Sequence, residues 1–362
     1  MDSFLQYKEN WEMARKRMEA WWEGEIIDRA VIQVTAPRRD NELKPDKKEE
    51  QETVQDLEKQ FIDPDIVIPR KEKKIKNTYF GGEAFPMMLP TQGMVNIISN
   101  YLGSPMKFID KQTIWSEPII DDWSDLPDLS FNPENEWWQV SKQLLKKSAE
   151  NAPGKYFVGI PDLNGPSEVL SALRGSEKLA IDTIENKEKF KKALKEINYT
   201  WYRYWQACHG IVHQYIGGYI NWMGIWSDIA ATDLQSDFSC MISKESYDEL
   251  ILPFIRQQTE WIPRTIYHLD GPGAVRHLDS LLSLDKLTAI QWIPGAGAAP
   301  PSKWLNLLKK IQKAGKRIQI FVEKEEVEIL LKKLNPEGLL MKTSCNTIKE
   351  AEELIEKVKK LT

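Results

Sequence analysis

From Arg264 to the C-terminus the sequence repeats one unit, an apolar run followed by an amphipathic helix, and this repetition constrains the fold more than any other feature. The first run is β-branched and aromatic, ends in His268-Leu269-Asp270 and breaks at Gly271-Pro272-Gly273 before a helix. A second run ends in Trp292 and gives way to a glycine loop reaching Gly297. Trp304, Leu307, Leu308 and Ile311 then fall at helical spacing, Gly315 is placed as a C-cap, and Arg317 to Val322 alternates like a strand. A helix over Glu325 to Lys333 and a last apolar run, Leu339 to Thr343, follow. Thr347 and Glu350 have capping-box spacing, opening a helix with Ala351, Leu354, Ile355 and Val358 on its apolar face.

Tandem units of this size give parallel strands joined by right-handed crossovers. The expected fold is therefore α/β, a (β/α)8 TIM barrel with N-terminal helical elaboration. An open doubly wound sheet ranks second, because no G-x-G-x-x-G fingerprint follows any expected strand. In a barrel the chemistry collects where strands end, so His268, Asp270, Trp292, Glu323 and Cys345 are expected to point to one face.

The rest of the chain is less regular. Phe4 to Trp22 reads as a helix, Arg29 to Thr35 as the first strand, Asn41 to Glu52 as a charged turn, and Phe61 to Pro69 as loop and short extended pieces. Tyr79 to Pro86 carries paired glycines beside Glu83, a carboxylate that would orient a bound polar group or, equally, sit on a surface turn. Tyr156 to Ile160 is a strand with its loop at 161–166, and Lys187 to Gly210 is a long helix. His209 and His213 on that helix lack acidic or cysteine neighbours in sequence and read as structural. Tyr219 to Ile225 is the next strand, followed by Trp226 and a polar stretch with Asp228, Asp233, Asp237 and Cys240. The whole is expected to be one domain, 1–362, with elaboration over about 1–150 and regular βα units over 151–362.

A 362-residue chain that is 41% hydrophobic can bury a large core, and a net charge of -5 with both signs interspersed argues against a nucleic-acid partner. The N-terminus lacks a signal-peptide pattern, no apolar run reaches bilayer length, and three cysteines are too few for a disulfide framework. A cytoplasmic location is therefore expected. Fourteen tryptophans are many, and Trp222 and Trp292 at expected strand ends would either wall a ligand site or fill the barrel mouth.

Several short motifs carry a resemblance. Asp162-Leu163-Asn164-Gly165-Pro166, Leu173-Arg174-Gly175, Ile242-Ser243-Lys244 with Leu252-Pro253, and His268-Leu269-Asp270-Gly271 together resemble the uroporphyrinogen decarboxylase superfamily over roughly the last two thirds of the chain. The resemblance implies a (β/α)8 barrel. The Met-Arg-Gln-Ala-Gly-Arg motif of the true decarboxylases is missing, Ala36-Pro37-Arg38-Arg39 being the nearest basic cluster, so the likeness lies with the corrinoid-dependent methyltransferase branch. That branch binds zinc through His-x-Cys and a distant cysteine, and the corresponding residues here are His268, Asp270 and Cys345, with a carboxylate in place of the middle thiolate.

The expected function is a metal-assisted methyltransferase acting on a small methylated compound. Zinc would sit on His268, Asp270 and Cys345, and Asp270, Asp233 and Glu323 would be the catalytic acids and bases. Glu83, Trp222, Trp292 and Asp237 would line the substrate pocket. The resemblance implies a corrinoid protein as methyl partner, and a homodimer is the expected assembly. Two alternatives stand beside it: a metal-free lyase or decarboxylase in which Asp270 or Asp233 handles a proton, and a non-catalytic ligand-binding barrel.

Overall fold

A computed structural model describes residues 5–38, 54–91, 96–110 and 114–362; the charged segment Asn41 to Glu52 and Arg39 lie outside them. In chain order the described strands are β1 (Val31–Pro37), β2 (Thr78–Gly82), β3 (Met87–Met88), β4 (Met106–Phe108), β5 (Ile114–Ser116), β6 (Phe157–Val158) and β7 (Tyr219–Ile220). They continue with β8 (Trp226–Ser227), β9 (Ala231–Gln235), β10 (Arg264–Asp270), β11 (Ala289–Ile293), β12 (Arg317–Phe321) and β13 (Leu339–Ser344).

Seven of them form the central sheet, ordered β2-β1-β13-β12-β11-β10-β9, and every neighbouring pair is parallel except β1 with β2. The expected closed barrel is corrected here: β2 and β9 are edges, and β3 pairs with β6 apart from the sheet, which stays open. β2 runs back antiparallel along β1 and takes its free edge. The paired glycines serve that approach, since a Cβ on Gly82 would lie 2.0 Å from the Ile32 carbonyl oxygen. What stands is a mixed α/β fold around a mostly parallel sheet.

Side-chain alternation gives the sheet two different faces. On one, Val31, Ala231, Ile266, Ala289 and Leu340 pack with Trp21 and Trp22 and with Met223 and Ile225. On the other, Ile32, Leu269, Ile290, Trp292, Ile320 and Met341 join the large core shared with the helices. The first face is capped at the strands' N-terminal ends by α1 (Trp11–Glu23), which stops at Gly24 in a left-handed conformation, φ 75°. Arg264, at the start of β10, fixes that cap: it donates to Glu19 at 2.6 Å, Glu23 at 2.6 Å and Asp228 at 3.0 Å. With one end sealed by an apolar layer and an ion-pair cluster, the polar residues of the same face are left at the C-terminal ends of the strands.

Some sequence expectations give way. Phe61 to Pro69 is helical, within Val54–Ile62 and Pro64–Lys76, because Asp63 caps the second helix and Pro64 takes its first turn, where a missing N–H costs nothing. Tyr219 to Ile225 is not one strand; β7 pairs antiparallel with β8, and 221–225 turns at Gly224, φ 78°, to lie over the sheet. Thr347 does cap the last helix, accepting from the Glu350 N–H, while Glu350 reaches back to the Asn346 N–H. No helix among the described residues is long and apolar enough to cross a membrane, and Cys208, Cys240 and Cys345 are free thiols.

Glu83, expected in the substrate pocket, is instead fully buried with its carboxylate already used. Arg29 donates to it through both terminal nitrogens at 2.6 and 2.8 Å, the Ile32 N–H at 3.0 Å and Arg17 at 3.2 Å. Glu83→Ala leaves a buried guanidinium unpaired, so urea unfolding should show a loss of about 3–5 kcal/mol. A loss below about 1 kcal/mol, the range of an exposed pair, would contradict this placement.

Candidate active site

The site begins with a two-residue spacing on β10. His268 and Asp270 are separated by one residue on a strand, so both project from the sheet face that also carries Ile266. Asp237, two residues beyond the end of β9, comes to meet them: one ligand atom from each of Asp237, His268 and Asp270 lies within 4.8 Å of the others. Asp237 stands exposed at the mouth and the other two are half-buried.

The loop bearing Asp237 is pinned from below. Glu168 accepts from the Phe238 N–H at 3.0 Å and Ser167 Oγ meets Ser236 Oγ at 2.9 Å. Here the motif at 162–166 finds its physical reason. A Cβ on Gly165 would lie 2.0 Å from the Gln235 carbonyl oxygen, so only glycine lets this loop rest against the end of β9. Asn164 takes a left-handed φ of 55°, and its N–H donates to Asp162 at 2.8 Å. The tight turn therefore aims Asp162 toward the cluster.

Burial and crowding shape the carboxyls. Asp162 is pushed up to about 7, first by desolvation and then by the charge of Asp233. Asp233 is itself raised to about 6 by desolvation, against the pull of the Trp222 indole N–H, which donates to it at 2.9 Å. Glu168 rises to about 8 by desolvation and the nearby Asp237, and Asp237 is raised by desolvation, with His268 opposing and Asp270 adding. Acids so placed hold or release a proton near neutral pH.

His268 is oriented by a chain of side-chain amides. The Met223 carbonyl can only accept, so Gln319 donates to it through Nε2 at 3.2 Å; Gln319 Oε1 then accepts from Gln291 Nε2 at 2.7 Å. Gln291 Oε1 is left to accept from His268 Nδ1 at 2.5 Å. The proton therefore resides on Nδ1, and Nε2 keeps a lone pair for a ligand or a proton. Trp222 packs edge-on against the same ring, 5.3 Å between centroids.

Of the residues expected at the site, His268, Asp270, Asp233, Asp237 and Trp222 come together. Trp292 does not: it is fully buried on the opposite face of β11, edge-on to Trp304 at 5.0 Å. Cys345 is not part of the ligand-distance group; it lies one position out of phase with Lys342 and beside Lys324, Glu325 and Glu350. Glu323 is exposed in the loop after β12. Sequence reasoning passed over Asp162 as a site residue, and over Gln291, Gln319 and Lys342. The available signal was a polar residue in the middle of each otherwise apolar strand.

The fold is similar to that of a methyltransferase from Methanosarcina mazei, with a TM-score of 0.60 over 96% of this chain and 98% of that one, at 11% sequence identity. No protein-family model matches the chain, and no curated protein matches it by sequence.

Raised acids leave a mark on stability. Asp162 binds its proton more tightly when folded, so its contribution is present below about pH 4 and is lost as pH rises toward 7. Asp162→Asn should raise the melting temperature relative to wild type at pH 8 and do so less at pH 5; an offset independent of pH would contradict the assignment.

Proposed function

We propose that this chain is a methyltransferase of the uroporphyrinogen decarboxylase superfamily, built on the mixed α/β fold with its mostly parallel sheet and working in the cytoplasm. Asp237, His268 and Asp270 would hold a divalent metal ion beside a small methylated substrate. The observation that carries the reading is the convergence of these three donors within 4.8 Å, with the His268 Nε2 lone pair left free by the amide chain. The similarity of fold to a methyltransferase supports it.

The donor set differs from the zinc site that the sequence resemblance implies, with Asp237 in place of Cys345. One imidazole and two carboxylates suit a divalent cation, zinc among them, and form a harder set than one containing thiolates. When bound, the ion supplies Lewis-acid polarisation of the substrate heteroatom that carries the methyl group. The chain's own residues do the rest. Gln291 holds the imidazole in one tautomer, Trp222 fixes both His268 and Asp233, and Asp162 donates a proton to the heteroatom as the methyl group leaves. A corrinoid on a partner protein, the methyl carrier in this reading, rests on the sequence resemblance. So does the wider superfamily assignment, and a homodimer is the proposed assembly.

A second reading has its own observation. The Asp162–Asp233 pair, raised to about 7 and 6, would serve a metal-free lyase or decarboxylase as proton donor and acceptor. Elemental analysis separates the two. The methyltransferase reading expects about one divalent ion per chain, retained in Cys345→Ser and lost in His268→Ala and Asp237→Ala by at least tenfold in affinity. Metal-free protein, or content unchanged in both variants, removes it, and turnover that survives chelation selects the lyase.

A further inference from the structure

The face of the sheet that carries His268 also carries a cation used by none of the chemistry above. Lys342 is placed opposite Gln33 on β1 and Phe321 on β12, one alternation step closer to the strands' C-terminal ends than Leu340 of the apolar layer. Its ammonium donates to the Met223 carbonyl at 3.1 Å and lies 5.1 Å from the centre of the Phe321 ring. No carboxylate among the described residues pairs with it, although lysines elsewhere in the chain pair readily. Gly224 faces it with no side chain; a Cβ there would stand 3.3 Å from Nζ.

A half-buried ammonium without a counter-charge is costly, and desolvation alone pulls Lys342 down to about 8. Near neutral pH it is still largely charged, with donors to spare after the bond to Met223. An anion arriving with the substrate would remove that penalty and form a charge-assisted hydrogen bond. The acidic cluster and the cation are held apart by the sheet itself. From β10 to β13 there are three strand steps of about 4.8 Å, a path of roughly 14 Å. The same amide chain spans the gap, since Gln319 and Lys342 donate to one carbonyl, that of Met223.

We infer that the substrate is an anion, an elongated methylated carboxylate that bridges this gap, its acid group received by Lys342 while its methylated end faces Asp237, His268 and Asp270. The inference rests on the methyl-transfer reading for the methylated end only; the anion site stands on Lys342.

The test is titration calorimetry with matched probes long enough for the gap, 6-methoxyhexanoate against 6-methoxyhexanamide and trans-4-methoxycinnamate against trans-4-methoxycinnamamide. Wild type is expected to bind at least one acid about tenfold or more tightly than its amide. The preference should fall to within about twofold in Lys342→Met, and Lys342→Gln is measured beside it in case the first variant does not fold. Amides bound as tightly as acids, a preference that persists in both variants, or no binding by either acid each overturns the inference. Metal content is read on the same samples. Wild-type metal in a variant that has lost the preference ties the loss to the anion site. Metal-free protein that keeps the preference sinks the metal reading and leaves this one standing.

Discussion

The direction of a hydrogen-bond chain decides what His268 can do. A backbone carbonyl at Met223 forces Gln319 to donate, Gln319 forces Gln291, and Gln291 leaves His268 no choice but to donate from Nδ1. The metal reading of the site depends on that result. The other tautomer would carry its proton on Nε2 and could ligate nothing through that nitrogen.

That chain exists because residues 221–225 cross the sheet and do not extend it. The crossing delivers Met223 and Ile225 to the apolar layer and the Met223 carbonyl to the layer above it. The face is thus stratified along the strands. At the N-terminal ends it is sealed by Trp21 and Trp22 and by the Arg264 cluster; His268, Gln291 and Gln319 then form one row across β10, β11 and β12, with Asp270 and Lys342 one alternation step further on. This order separates the ion-paired Arg264 cluster at one end from the site at the other, where desolvation raises Asp162 and Asp233.

Much of this was legible before the structure. The βα repeat from Arg264 onward gave its strands to within a residue or two, and His268-x-Asp270 placed two side chains on one face. Asp233, Asp237 and Trp222 were legible as candidates but not as neighbours. Glu83 was misread because its partner, Arg29, lies 54 positions away and no local pattern announces such a pair. Trp292 and Cys345 were misplaced for a different reason. In strands buried on both faces apolar residues run continuously, so alternation does not reveal which side a residue takes. The long polar residues in mid-strand, Gln33, Gln291, Gln319 and Lys342, were the markers of the inner side.

The sequence by itself determined the parallel strands, the caps and the residue types that meet at the strand ends, because periodicity, proline, glycine and capping act over a few neighbours. Tertiary structure alone decided that β2 occupies the edge of β1 and leaves the sheet open, and that Asp237 joins His268 and Asp270 in place of Cys345. It also decided that Lys342 stands without a counter-charge. Each of these depends on which distant segments share a face, and strand pairing and desolvation are properties of the packed chain that no short window of residues contains.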